Sequence, residues 1–339
     1  MKTILLIPVG GTICTAAEAD GTRALVDGAD IKLCDTFLHS DSPMASSVRF
    51  KTAPSLRLLS ENMTIDGWNA MLDTFRTYAD DPALDGVIVA HGTDTLAFSA
   101  AMFAMILSGY DRPVCFVAAN APLDDPRSNG HDNFQAAVEA ICRGLAPQVY
   151  VPYRNVSDGA MRWHLGARLR QCPVYSEDFE SLGEDILPTA RKPLCDWRGT
   201  WHLSDRVKLM HPYVGQRYDD VSLDGYASVL HTTYHSGTVA SEGGVYALTT
   251  LLARCEAQGI DVWLAPAKAT GDVYETVRSL VQGAHPLRFL YGCTVEAAYA
   301  KLTLCRSLGF SNEETAAWMQ EDVAAEFAVA TASEACYTE

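Results

Sequence analysis

The sequence predicts an α/β protein, with a larger amino-terminal domain on a doubly wound parallel sheet and a second, smaller α/β domain. Three observations carry that expectation. Short runs that are apolar throughout alternate with amphipathic stretches of helical period, the pattern of strands covered on both faces by helices. The chain has 339 residues, more than one hydrophobic core usually organises. Residues 183–204 break the alternation with Pro188, Pro193 and Gly199 among mixed charges, which reads as a connector. The expected division is therefore 1–185, a linker at 186–205, and 206–339.

Taken in order, residues 4–9 form a continuous apolar strand. Residues 67–78 carry Trp68, Met71, Leu72 and Phe75 at helical spacing. Strands follow at 87–90, 114–118 and 149–151, with helices at 96–107 and 133–142 between them. Beyond the connector, strands are expected at 207–210, 228–231 and 262–264, with a helix at 244–258. The chain finishes with helices at 295–308 and 312–327.

Composition excludes several classes. The formal net charge is −16, spread along the chain, and no run of Lys and Arg supplies a basic footprint. Nucleic-acid binding is therefore not expected. The apolar amino terminus is too short for a signal peptide and runs directly into Gly10-Gly11-Thr12. No apolar stretch approaches the length of a membrane span. The ten cysteines are scattered singly without a C-x-x-C, as reduced thiols in apolar positions would be. The expected compartment is the cytoplasm.

Ligands of parallel α/β sheets bind beyond the carboxyl ends of the strands. Two segments occupy that place: Gly10-Gly11-Thr12-Ile13 after the first strand, and His91-Gly92-Thr93-Asp94-Thr95 after the strand ending at Ala90. A hydroxyl nucleophile needs a nearby proton acceptor and donors aimed at the oxyanion it creates. Thr12 and Thr93 supply two hydroxyls, and Asp94 a negative charge. Either motif alone reads as a tight turn with a helix-capping hydroxyl; the two together, after buried strands of one domain, read as a site.

Other features read as structural. His231 and His235 sit at a strand end, where four-residue spacing does not converge on a metal as it would on a helix. His91 is read as orienting its loop by hydrogen bonding. Asp124-Asp125-Pro126 is a solvated turn, and no G-x-G-x-x-G or Walker-type loop follows a strand.

The paired motifs resemble the signature of the bacterial asparaginase and glutaminase family. Ser60-Glu61-Asn62-Met63-Thr64 occupies the place of that family's loop for the substrate carboxylate. Weaker matches occur at Asn120-Ala121-Pro122-Leu123, Phe179-Glu180-Ser181 and Tyr234-His235-Ser236-Gly237-Thr238. The resemblance implies a flavodoxin-like amino-terminal sheet and an amidohydrolase that turns asparagine into aspartate and ammonia through an acyl-enzyme. It makes Thr12 the nucleophile, with Thr93 assisting. Asp94 and Glu61 would grip the substrate ammonium, and Ser60 its carboxylate. Gly11 and Gly92 would line the pocket beside them, with Ser236, in the loop 234–238, contributed by the smaller domain of a neighbouring copy.

Two positions depart from the family. Its usual lysine, counted back from Phe179, falls on Arg170, or on Gln171 with a slip of one. Arginine stays protonated and is no general base. The tyrosine common on the loop after the nucleophile is replaced by Thr22. The resemblance further implies no cofactor and a homodimer or homotetramer acting on a small amino-acid amide, without nucleic acid or membrane. The alternatives are a glutaminase-leaning variant, a catalytically weakened amino-acid-binding protein of the same fold, and an ammonia-supplying subunit of an amidotransferase.

Overall fold

The computed structural model describes residues 1–17, 23–25, 28–183, 191–267, 274–283 and 285–328. The chain opens with β1 (Lys2–Pro8), whose inner residues are all buried, as its unbroken apolar run requires. A two-stranded ribbon of β2 (Thr15–Ala17) and β3 (Arg23–Leu25) follows, then α1 (Ala29–Leu38) and β4 (Val48–Thr52). Thr64 caps α2 (Ile65–Tyr78) by accepting from the Gly67 amide. The chain then alternates through β5 (Gly86–Ala90), α3 (Leu96–Ile106), β6 (Val114–Val117), α4 (Gly130–Cys142) and β7 (Val149–Arg154), ending on β8 (Met161–Leu165).

These strands form one sheet in the order β4-β1-β5-β6-β7-β8. Ile4 lies opposite Phe50 on one side and Gly86 on the other, both in parallel register. The edge strand β8 runs antiparallel to β7, with Tyr150 opposite Leu165. The sheet is therefore largely rather than wholly parallel. Apolar clusters cover both faces, one centred on Phe75, Phe103 and Phe116, the other on Phe37, Phe134 and Tyr150. All residues of α3 except Phe98 are buried, which is why that helix is apolar around its whole circumference.

The smaller sheet contains β9 (Val207–Met210), β10 (Ser228–His231), β11 (Asp261–Ala267) and β12 (Arg288–Tyr291), all parallel in the order β12-β11-β10-β9. The helices α5 (Leu248–Ala257) and α6 (Glu275–Val281) contribute Leu251, Leu252 and Leu280 to one face. The other face is packed by α7 (Val295–Ser307) and α8 (Asn312–Gln320) through Ala298, Leu302 and Met319. Ala297, Ala300 and Leu304 of α7 join the core of the larger sheet, so this helix serves both layers.

Several expectations need correcting. The final helix ends at Gln320 rather than 327, because tertiary groups claim its backbone. Lys301 Nζ donates to the carbonyls of Met319 and Glu321, while the Glu326 carboxylate accepts from the amides of Val323 and Ala324. The strands β4 and β12 were not expected, since each sits at a sheet edge where apolar residues mix with charge. The described part of the connector packs on the larger domain: Trp197 and Leu203 are buried in the larger core, and Arg76 of α2 donates to the carbonyls of Trp197 and Trp201.

The lock on the last segment is a buried ion pair. Lys301 Nζ lies 2.6 Å from Glu326 Oε1, the side chains being 1 % and 2 % exposed. Breaking such a pair leaves an uncompensated buried charge, so Lys301→Met is expected to destabilise the fold by about 3–5 kcal/mol in urea denaturation. The double variant Lys301→Met/Glu326→Leu should recover much of that loss. Equal stability of Lys301→Met and the parent would show that the pair contributes nothing.

Candidate active site

The strand order of the larger sheet reverses between β1 and β5. From β1 the chain moves outward to β4, then returns past β1 to place β5 on its other side. Loops leaving neighbouring strands at such a point diverge to opposite faces and open a crevice between them. The loop after β1 carries Thr12 in a short 3-10 turn, and the loop after β5 carries Thr93. The amides of Val9 and His91 tie these loops to the sheet through Ala90 O and Val117 O.

Two glycines set how closely the loops approach. Gly11 has φ +75°, and a Cβ there would lie 2.1 Å from Gly92 Cα. A Cβ on Gly92 would lie 2.3 Å from Ser60 Oγ and 3.0 Å from Gly11 Cα. The three loops at Gly11, Ser60 and Gly92 are thus in close contact, and Thr12 and Thr93 are each the residue following a contact glycine. Both threonines are half-buried. Gly11→Ala is expected to destabilise the fold by about 1–3 kcal/mol through overpacking, with roughly another 1 kcal/mol from the left-handed backbone. Thermal denaturation checks this, and a Tm within about a degree of the parent would contradict the contact.

Ser60, buried, donates from Oγ to Asp94 Oδ2 at 2.9 Å, and Thr95 Oγ1 donates to Ser60 O at 2.9 Å. Asp94 and Glu61 are exposed at the rim. His91 is fully buried, with Nδ1 2.7 Å from Gly92 O; desolvation lowers its pKa to about 4, so it stays neutral. Ser236 Oγ shares a hydrogen bond with Thr238. That loop follows β10, and Ser236 is held within it rather than by the three-loop cluster. Thr22 lies outside the described residues.

Arg170 and Gln171, the two candidates for the family's lysine position, lie in different surroundings. Leu169 bridges Ser181 and the Arg170 amide donates to Glu180 O, so this stretch is extended and its side chains alternate. Leu169 is buried, Arg170 is exposed, and Gln171 reaches the site. Its Nε2 donates to Asp94 O, and its amide donates to Glu296 Oε1 at 2.7 Å. Glu296, at the start of α7, has its pKa raised by burial. Gln171 Oε1 is buried without a hydrogen-bond partner among the described residues. Glu296 carried no sequence signal, because its contact depends on α7 packing against a segment 125 residues away.

Residues 3–168 match the family model described as Asparaginase, N-terminal. That stretch is therefore similar to the amino-terminal part of asparaginases. The fold of the chain resembles that of L-asparaginase I from Vibrio cholerae, with TM-score 0.72 and 21% identity over 97% of this chain and 99% of that one. It also resembles the thermostable L-asparaginase from Thermococcus kodakarensis, with TM-score 0.72 and 19% identity over 96% and 99% of the two chains. At such identities the likeness concerns the fold alone.

Curated relatives of the chain include subunits D of glutamyl-tRNA(Gln) amidotransferases. The one from Halobacterium salinarum is 30% identical over 186 residues, 54% of this chain and 42% of that protein. The one from Methanothermobacter thermautotrophicus is 26% identical over 348 residues, 96% of this chain and 77% of that protein. The chain spans less than half the length of the first of these. The names of these relatives overturn the expectation of an enzyme that serves only a small amide and has no nucleic-acid partner. Net charge averages the whole surface, so it does not by itself exclude a nucleic-acid partner.

Among the described residues, no group of three or more His, Cys, Asp or Glu is arranged to hold a metal ion. None of their helices is long and apolar enough to cross a membrane.

Proposed function

We propose that this chain releases ammonia from the side-chain amide of an amino acid, and that the ammonia serves an amidotransfer reaction rather than simple breakdown of asparagine. The observation that carries the reading is the backbone contact between Gly11 and Gly92, which sets the loops of Thr12 and Thr93 beside each other at the reversal of strand order. The names of the curated relatives support the transfer role.

In this reading Thr12 Oγ attacks the amide carbon. The tetrahedral adduct expels ammonia and leaves an ester on Thr12, and water then releases the acid and restores the hydroxyl. Thr93 relays the proton, and loop amides face the oxyanion. Ser60 takes the substrate carboxylate, while Asp94 and Glu61 hold its ammonium. A fixed zwitterionic head orients the amide against the nucleophile. Glutamine rather than asparagine is the finer form of the proposal. One methylene in pocket depth is worth about 1–3 kcal/mol, so initial rates of ammonia release from both amides decide it. If neither yields ammonia at high enzyme concentration, the proposal fails.

A second reading is favoured by Gln171. Its amide is neither a base nor a cation, so the site binds an amino acid with little turnover. Calorimetric binding of glutamine or aspartate without ammonia release selects this reading. The two are linked by one variant. Gln171→Lys would bring an ammonium toward Asp94 O and the buried Glu296 carboxyl. It is expected to raise kcat by about tenfold or more, toward the range of general acid–base effects. A variant that folds and turns over no faster would show that the proton path does not run through position 171.

A further inference from the structure

The smaller sheet holds a feature that the amidase reading does not use. Beyond the carboxyl ends of β9 and β10 lies a cavity of about 380 Å³, within the size range of small-molecule sites. Its walls are the segment leaving β9, with Tyr213, Val214, Gln216 and Tyr218, and the segment leaving β10, with Tyr234 and Tyr246. The Tyr218 amide donates to Val245 O at 2.8 Å and joins the two walls. Tyr218 is fully buried, with its hydroxyl 2.9 Å from His231 Nε2, and forms the floor. Tyr213, Tyr234 and Tyr246 are 61%, 40% and 46% exposed. Among the described residues, none of these three rings stacks on another aromatic ring.

We propose that this cavity binds a nucleobase. Three exposed aromatic rings around one concavity offer stacking surface that a planar ring uses well, and base–aromatic stacking tolerates any base. Among the described residues, no charged side chain lines the cavity, whereas an organic cation would call for a carboxylate beside the rings. Gln216 Nε2 is engaged with Arg217 O, which leaves its carbonyl oxygen to offer a base an acceptor from the cavity lining. The Arg217 guanidinium lies over Tyr246, 5.8 Å from its centroid, and keeps that wall in place. No Lys or Arg among the described residues lines the cavity to hold a phosphate, so the base is held as such and not through its phosphates. The source is a free nucleoside or an unstacked base of a single strand.

The test is saturation-transfer NMR and calorimetry of the full chain with adenosine, guanosine, cytidine and uridine. Choline and a short single-stranded oligoribonucleotide serve as further probes. At least one nucleoside is expected to bind with a Kd of about 1 mM or tighter. Tyr213→Ala and Tyr246→Ala should each weaken it by about 5- to 100-fold, while Tyr213→Phe and Tyr246→Phe retain it. Tighter binding of the oligoribonucleotide, lost in the same alanine variants, assigns the base to a strand. Binding of nucleosides alone assigns it to a free ligand. The proposal is overturned if no nucleoside binds at about 10 mM, if choline binds better, or if the alanine variants bind unchanged. It is equally overturned if sedimentation shows a second copy of the chain covering the cavity. Ammonia release does not enter this readout, so its failure and that of the amidase reading are separable.

Discussion

Thr12→Ala is expected to reduce ammonia release by about 10³-fold or more, because the covalent route ends with the hydroxyl that would carry the acyl group. The fold should be unaffected. Thr12 begins a 3-10 turn whose backbone bond, from the Cys14 amide to Gly11 O, does not involve its side chain. Thr15 Oγ1 donates to the Thr12 carbonyl rather than to its hydroxyl. Circular dichroism and Tm should therefore match the parent. Thr12→Ser, which keeps the nucleophile and loses only a methyl, should retain a measurable fraction of activity. A Thr12→Ala variant that releases ammonia within about tenfold of the parent would remove this residue from the chemistry. The scaffold around Gly11 and Gly92 would still stand.

The second large effect concerns acid. His91, His164 and His231 are all buried, and burial lowers the pKa of each to about 4. The unfolded chain titrates its histidines near about 6.5. Between roughly pH 6.5 and pH 4 the unfolded state therefore binds protons that the folded state refuses, and stability must fall as pH falls through that window. It is fully present above about pH 6.5. Each group contributes on the order of 3 kcal/mol across the window, and the three together rival the entire stability of a typical domain, about 5–15 kcal/mol. Asp322 acts in the opposite direction, its pKa raised to about 6 by burial and by Glu326. It partly offsets the loss between about pH 6 and pH 4. Glu326 itself is held below the usual carboxylate range through Lys301, so its contribution too is lost on acidification. Urea denaturation at about pH 7, 6 and 5 should show stability dropping steeply, and His164→Gln should flatten the slope by about one proton. A flat profile would mean that the imidazoles are not neutral in the fold.

The three histidines play local parts that explain their burial. His91 pairs with Gly92 O, His231 with Thr232 O and the Tyr218 hydroxyl, and His164 with Ser181 Oγ. His231 sits at the end of β10 with these partners, which agrees with its reading as a hydrogen-bonded residue rather than a ligand. The thiols follow a similar logic. Cys255, Cys293 and Cys305 lie in apolar surroundings that push them up to about 11 or 12, where they behave as small hydrophobes.

Much of the larger sheet was legible from the chain alone. A strand buried on both faces leaves an unbroken apolar run, and β1, β5 and β6 have no charged residue within their buried cores to obscure it. The edge strands β4 and β12 lack that signature, since one side of each meets solvent and carries Arg49, Lys51 or Arg288. The two Gly-Thr motifs marked the loops after β1 and β5 by position, for a glycine beside a hydroxyl after a strand is a local pattern. The candidate lysine position resisted counting. Choosing Gln171 over Arg170 depends on the phase of an extended segment, and that phase is set by pairing with Ser181 and Glu180.

Local chemistry by itself determined the strands buried on both faces, which loops carry hydroxyls, and that the fold is α/β, because periodicity and turn residues act over a few positions. Tertiary structure alone decided that Gly11 touches Gly92, that Gln171 reaches Asp94 while Arg170 faces water, that Glu296 arrives from α7, and that Lys301 ends the last helix early. Each of these joins residues distant in the chain. Their energies come from contacts and desolvation in the packed molecule, and short-range sequence pattern carries no record of them.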